Sequence, residues 1–466
     1  MDHSHARILI NGNAREETSG PTAPLSGRQA PGLPEQPRFH HVVACTESPP
    51  KPRIAWKTAA LVLLGFVLVL NNGLNLLVMM WLTPKNDFGR TFLSSVAFVH
   101  GEDMYGMNES IPWKLIDGSI ISLWNLNPPH FHLLLLPLAW LPIGVALLLW
   151  LLVNSVCGYY ALRLIVREAR WGFTPTQRQL LLLGALGFIG TTSALVTGHM
   201  SFLLLWLVTL SWLAARHERW TTSGIWLGLG LSFKPFLLFL VPYFVWRRQW
   251  RAVVAMALTV LLCLASGFAV FGLENHLAWA HMLQEADNWA WLPMNASIMA
   301  FLSRTFADNP MFTPVDLLSP DRVRMIWLAG GIPLGLLTYV ASFGDSSRRG
   351  VDRSFALMLV ASLLLSPLGW TYYFWLPLGP LVLLWTSARD GSYGCSPWTP
   401  RLLKCSLMGL MYPLWFVLLL QPLRLGTVLF GSVYFWSLLL VWLALLIDGL
   451  RLSSRSRSTL VSRTIA

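Results

Sequence analysis

The chain is a succession of apolar runs, most of them about 20 residues long, with lysine and arginine clustered in the gaps between them. The first run, 58–82, holds no charged side chain. About 20 such residues suffice to cross a hydrocarbon core of roughly 30 Å. A helix packed in a water-soluble domain keeps a polar face, and these runs have none to offer. Charged residues make up 12% of the 466, about half the share usual in soluble domains. That excludes a soluble enzyme, a disordered chain and a fibrous repeat. The expected fold class is an all-α polytopic membrane protein.

The net charge of +12 would point to nucleic acid in a soluble chain. Here it is read as basic loops on the cytoplasmic face. Lys51, Arg53 and Lys57 precede the first run, which puts the N-terminus inside and the connection 83–127 outside. The chain returns through 129–162 to Arg163, Arg167, Arg170 and Arg178. Span 179–197 leads out to a turn at Gly198-His199, and 200–215 leads back to Arg216, His217 and Arg219.

Two segments break this alternation. Segment 222–246 is followed by Arg247, Arg248 and Arg251, which a single crossing would carry outside. Two half-spans, 222–233 and 236–246, joined at Lys234-Pro235, keep them inside. Proline removes a helix hydrogen bond, and a broken helix at membrane depth needs protein or a watery cavity to satisfy its backbone. Segment 354–387 would run roughly 50 Å as one helix, well beyond the core thickness. Its break is Ser366-Pro367-Leu368-Gly369-Trp370. With 252–272, 325–343, 403–420 and 426–447, the expectation is ten to twelve transmembrane segments, including two broken hairpins. Residues 1–55 read as a disordered cytoplasmic tail, 56–450 as the membrane domain and 451–466 as a basic cytoplasmic tail. The five cysteines form no CxxC or metal spacing. Residues such as His3, His5, His40 and His41 read as part of the solvated tail.

The unusual polar residues collect at the outer ends of the spans. Asp87 follows the first span directly; a carboxylate at a membrane boundary is costly unless solvated or paired. It could act as general base toward a hydroxyl acceptor, or be an ordinary loop aspartate. His130 follows Asn127-Pro128-Pro129 and reads equally as a hydrogen-bonding partner of a phosphate or sugar and as a satisfied buried imidazole. His130 and His132 are two apart and do not share a helix face, which argues against a zinc pair. Lys234 sits among apolar residues and needs an anion, either a lipid phosphate or a carboxylate such as Asp87. The second outer loop, 273–324, carries Trp279, Trp289, Trp291, Asn295 and Arg304. Asn108-Glu-Ser110 and Asn295-Ala-Ser297 fit the N-glycosylation acceptor pattern, a tripeptide common by chance. There is no P-loop, no GxGxxG before a strand, no HExxH and no GxSxG.

Together these pieces resemble glycosyltransferase family 87, polyprenyl-phosphate-mannose-dependent mannosyltransferases of the integral-membrane GT-C class. The resemblance covers roughly 60–390. It rests on Asp87-Phe88 with Gly101-Glu-Asp-Met-Tyr105, Asn127-Pro-Pro-His130, Gly198-His199-Met-Ser201, Gly228-Leu-Gly-Leu-Ser-Phe-Lys234-Pro235, Asn295-Ala-Ser297 through Arg304, and Ser366-Pro-Leu-Gly-Trp370. It implies that Asp87 is the catalytic base and that Lys234, with His199 or Arg304, holds the carrier phosphate. It places Asn295, His130, Trp370 and Tyr372 among the substrate-binding residues. Where the family commonly has an acid and a histidine pair, this chain has Thr371, Tyr372 and Tyr373, a departure that bears on the sugar or acceptor.

The implied activity is metal-independent, inverting transfer of a hexose, with mannose the expected sugar. It runs from a polyprenyl-phosphate donor to a glycolipid or glycan acceptor on the outer face of the plasma membrane, with no cofactor and no nucleic-acid partner. Two other readings stand beside it. A transporter or flippase for lipid-linked sugars predicts inverted repeats and midplane polar sites. A degenerate, non-catalytic member would fit the substitutions at 371–373.

Overall fold

A computed structural model describes residues 55–83, 85–106, 113–114, 120–121, 124–169, 174–284, 289–343, 345, 347–389, 396–414 and 424–465. The tail 1–54 and the tripeptide Asn108-Glu-Ser110 lie outside them. The body is helical. It opens with α1 (Ala55–Leu82), α2 (Asp87–Val99) and a minute hairpin pairing Trp113–Lys114 with Ile120–Ile121. Next come α3 (Ile143–Ala169), α4 (Pro175–Gly187), α5 (Ile189–Thr197), α6 (Ser201–Arg216), α7 (Trp220–Phe233) and α8 (Val241–Trp246). The second half comprises α9 (Trp250–Gln284), α10 (Ile298–Phe306), α11 (Pro320–Ser342), α12 (Arg348–Leu365), α13 (Leu378–Arg389), α14 (Thr399–Leu410), α15 (Arg424–Leu429) and α16 (Val433–Ile465).

Among the described residues, five helices are long and apolar enough to cross a bilayer singly, six if the bent pair α4–α5 counts as one span. Beside these full-length candidates, against the ten to twelve segments expected, stand three shorter apolar stretches, Ser201–Arg216, Pro235–Trp246 and Leu378–Ala388. Both expected breaks are present. α7 stops at Phe233, Lys234 is extended (φ −136°, ψ 100°), and a 3-10 turn (Pro235–Leu240) leads into α8. α12 stops at Leu365, and a 3-10 turn (Thr371–Trp375) precedes α13. α9 kinks at Gly272 (φ +72°), where the sequence places the start of the outer loop.

Two expectations are corrected. Run 129–162 is not one helix: Pro129, Pro137 and Pro142 divide it into 3-10 turns at Pro129–Leu134 and Leu136–Leu138 before α3 begins. Each proline lacks the N–H that an α-helix would need. Run 179–197 bends by 52° between α4 and α5. There Phe188 adopts an extended conformation (φ −74°, ψ 129°).

The centre of the bundle is α12, which is buried on every side over most of its length. Its start belongs to a charged cluster. Arg216, ending α6, pairs with Glu168 of α3 (2.9 Å) and with Asp352 of α12. The Trp212 indole donates to Asp352 (2.9 Å), and Arg247 donates to the Asp345 carbonyl. The C-terminal end of α12 lies at the opposite pole, with the N-terminal end of α6. Eighteen residues of helix measure about 27 Å, close to the thickness of a hydrocarbon core. The basic loops thus converge on one pole of the bundle, and the helix breaks on the other.

Candidate active site

Asp87 owes its position to a helix cap. Asn86 is extended (φ −80°, ψ 176°) and its Oδ1 accepts from the Gly89 N–H at 2.8 Å, so α2 begins at Asp87, where the helix dipole favours an anion. Behind Asp87, Phe88 and Phe92 stack at 5.7 Å and pack with Met79, Phe131 and Trp150. The Trp150 indole donates to the Gly198 carbonyl at 2.9 Å. Gly198 ends α5 in the left-handed region (φ +63°), and a Cβ there would lie 2.9 Å from that of Phe88. Only glycine satisfies both the backbone and the space, and this close approach brings His199 to the base of α2.

His199 is held on two sides. Its Nδ1 meets the Ser201 hydroxyl at 2.9 Å and its Nε2 the Tyr373 hydroxyl at 3.4 Å. Its ring stacks on Tyr372 at 4.0 Å, and Tyr372 stacks in turn on Trp370 at 6.1 Å. The Tyr372 hydroxyl faces the Asp87 carboxylate. Lys234, freed from α7 by its extended backbone, donates from Nζ to Asn127 Oδ1 at 2.8 Å. Asn127 Nδ2 donates to Thr91 (3.0 Å), whose hydroxyl donates to the Asp87 carbonyl (2.7 Å). A continuous polar chain thus joins the Lys234 ammonium to the Asp87 backbone, and the cation and the carboxylate attract each other across the site.

These groups border one cavity of about 710 Å³. Asp87, Asn127, His199, Lys234, Trp370 and Tyr372 all line it, as does Arg90, one turn beyond Asp87. Much of the remaining wall is apolar, including Phe236, Phe239, Leu292, Met294, Met311 and Leu365. Trp124 and Trp289 meet edge to face at 5.0 Å along it. Among the described residues, no three His, Cys, Asp or Glu side chains gather as a metal site would require.

Three residues singled out in the sequence do not line the cavity. Asn295 is fully buried and ties the outer loop to the break after α12. Its Oδ1 accepts from Ser297 N (3.1 Å) and Gly369 N (2.9 Å), and its Nδ2 donates to Ala290 O (3.0 Å) and Pro367 O (2.8 Å). Arg304, also fully buried, donates to the Leu292 and Asn295 carbonyls, both at 3.0 Å, and to the Ser432 hydroxyl at 3.2 Å. Burial among these neutral groups lowers its pKa to about 9. His130 Nε2 meets the Ser232 carbonyl at 2.8 Å and props up the end of α7 just before Lys234. His132 is bonded to Ser95 (2.8 Å) and Asn125 (2.9 Å). All four brace the segments behind the cavity lining.

In the sequence, Asn127 stands out only within its motif and Arg90 only as a loop cation. The helical spacing of three from Asp87 is the available signal for Arg90.

With the geometry in hand, known proteins sharpen the picture. An α-(1→3)-arabinofuranosyltransferase of Mycobacterium tuberculosis is 26% identical over 293 residues, 62% of this chain and 56% of that protein. A polyprenol-phosphate-mannose-dependent α-(1-2)-phosphatidylinositol pentamannoside mannosyltransferase of Mycolicibacterium smegmatis is 26% identical over 258 residues, 55% of this chain and 59% of that one. The chain thus covers less than two thirds of either relative. No solved structure matches it significantly. The profile described as Glycosyltransferase family 87 matches residues 125–368, which is more than half of the sequence and includes Lys234, His199 and the Ser366-Pro367 break, and the chain belongs to that family.

Proposed function

We propose that this chain is a membrane glycosyltransferase that moves a hexose, mannose, from a polyprenyl-phosphate donor to a hydroxyl of a glycolipid or glycan. The observation that carries the reading is the convergence of Asp87, His199 and Lys234, from three separate segments, on one cavity with a largely apolar wall. A prenyl tail fits against Phe236, Phe239 and Leu365, while the phosphate and sugar meet the polar side. The lipid anchors the donor, so the reading needs no nucleotide-binding domain.

In this reading Asp87 takes the proton of the acceptor hydroxyl. The hydroxyl oxygen attacks the anomeric carbon, and the bond to the phosphate oxygen breaks with inversion. Lys234 meets the charge that grows on the leaving phosphate, a contribution that is commonly a large share of catalysis. Tyr372 orients the carboxylate through its hydroxyl, and His199 buttresses Tyr372 by stacking. No step calls on a metal or cofactor. The basic pole of the bundle is assigned to the cytoplasm with both termini, which puts the cavity on the outer face of the plasma membrane.

A second reading, transfer of an arabinofuranosyl residue, is favoured by the relative of that activity. The test offers membranes containing the chain labelled polyprenyl-phosphate mannose and polyprenyl-phosphate arabinofuranose in parallel. Transfer from one of them is expected, lost by about a hundredfold or more in Asp87→Asn. Transfer from neither, or undiminished transfer by Asp87→Asn, refutes the proposal.

A further inference from the structure

Arg90 is 5% exposed, borders the cavity, and leaves Nε and Nη2 with no hydrogen-bond partner. A buried guanidinium with unmet donors is costly, and arginine matches a phosphate in fork geometry. Asp87 feels two cations, Arg90 and Lys234. We propose that Arg90 is a second phosphate ligand, acting with Lys234 on the carrier lipid. The proposal rests on the lipid-phosphate reading above and extends it.

The argument is a charge balance over the reaction. Before transfer the donor is a phosphodiester with one negative charge, and Asp87 carries another. After transfer the lipid leaves as a phosphomonoester with close to two negative charges, while Asp87 has gained the acceptor's proton. The site therefore holds two negative charges at both stages. Arg90 and Lys234 together neutralise them before and after; Lys234 alone would leave one charge uncompensated among Trp289, Phe236 and Met294 throughout. Among the described residues, the one further Lys, Arg, Asp or Glu in the lining is Lys85, which is exposed at the rim. With no lipid bound, Arg90, Lys234 and Asp87 together carry one excess positive charge, which agrees with the unmet donors on Arg90. Transfer then moves a proton onto Asp87 and an electron pair onto phosphate with no net change of charge in the pocket. That arrangement avoids the desolvation cost of creating a buried charge.

The test measures binding of farnesyl phosphate, a short polyprenyl monophosphate, to detergent-purified full-length protein. Wild type is expected to bind. Arg90→Gln, checked for monodispersity, is expected to weaken binding about tenfold to a hundredfold, the usual scale for losing hydrogen bonds to a charged group. Arg90→Lys keeps a buried cation without the fork and is expected to recover part of the loss. Wild-type binding that is undiminished in both variants overturns the role of Arg90 and leaves the lipid-phosphate reading standing. Absence of farnesyl phosphate binding by wild type overturns both.

Discussion

Asn295 separates two ways a polar residue can matter. Its motif suggests a substrate ligand, and its geometry makes it a staple. Asn295→Asp keeps the shape and preserves an oxygen for the N–H groups of Ser297 and Gly369. It replaces the amide nitrogen that serves Ala290 O and Pro367 O with a second oxygen. Ala290 O then loses its donor, at about 1–3 kcal/mol, while Pro367 O keeps the Ser297 hydroxyl at 3.0 Å. The expected cost is about 1–3 kcal/mol, before any penalty for a buried carboxylate. No cavity opens, because the side chains are nearly isosteric. Against a folding margin of about 5–15 kcal/mol, this is severe. Intrinsic tryptophan fluorescence, from the 24 Trp of the chain, follows the melting in detergent. The melting temperature should fall by several degrees, and transfer lost at about 37 °C should return on cooling. A variant that melts like wild type but shows a raised donor KM at all temperatures would refute the reasoning and make Asn295 a substrate ligand.

Lys234→Met should lower kcat/KM for the lipid donor by about a hundredfold while the acceptor KM moves little; unchanged donor dependence would remove Lys234 from the phosphate site. Gly198→Ala combines a left-handed backbone (φ +63°) with a Cβ 2.9 Å from that of Phe88. It should cost about 2–4 kcal/mol and displace His199, so unaltered melting together with full activity would show that the α5–α6 turn tolerates side chains.

What was legible in the sequence was the placement of the breaks. Charge asymmetry favoured a reversal between Thr222 and Arg248, and Lys234-Pro235 was the break that divides that segment into two half-spans. The same reasoning, with length, located the break at Ser366-Pro367. Hydropathy was less informative where apolar residues and prolines coincide. The stretch 129–142 is hydrophobic enough to read as part of a span, yet Pro129, Pro137 and Pro142 confine it to 3-10 turns. Nor does residue type reveal direction. Arg90 and Arg304 are both buried arginines near the same cavity; one borders it, and the other is spent on loop carbonyls. That difference depends on tertiary packing, which no local pattern encodes.

The breaks also explain why the site lies where it does. A continuous membrane helix uses its backbone groups internally and presents side chains only to lipid or to other helices. A cavity that must hold a sugar and a phosphate needs polar groups that helices do not supply along their length. Here they come from helix ends: Asp87 opens α2, His199 follows α5, Lys234 follows α7, and Trp370 and Tyr372 follow α12. Each end leaves orphan backbone groups; Asn86 satisfies one at the start of α2, and Asn295 and Arg304 satisfy backbone groups of the loops beside the breaks. The residues that form the wall and those that face the cavity therefore arise from one requirement. Stopping several helices at a common depth creates the polar demand, and part of the chemistry that meets it is turned inward toward the substrate.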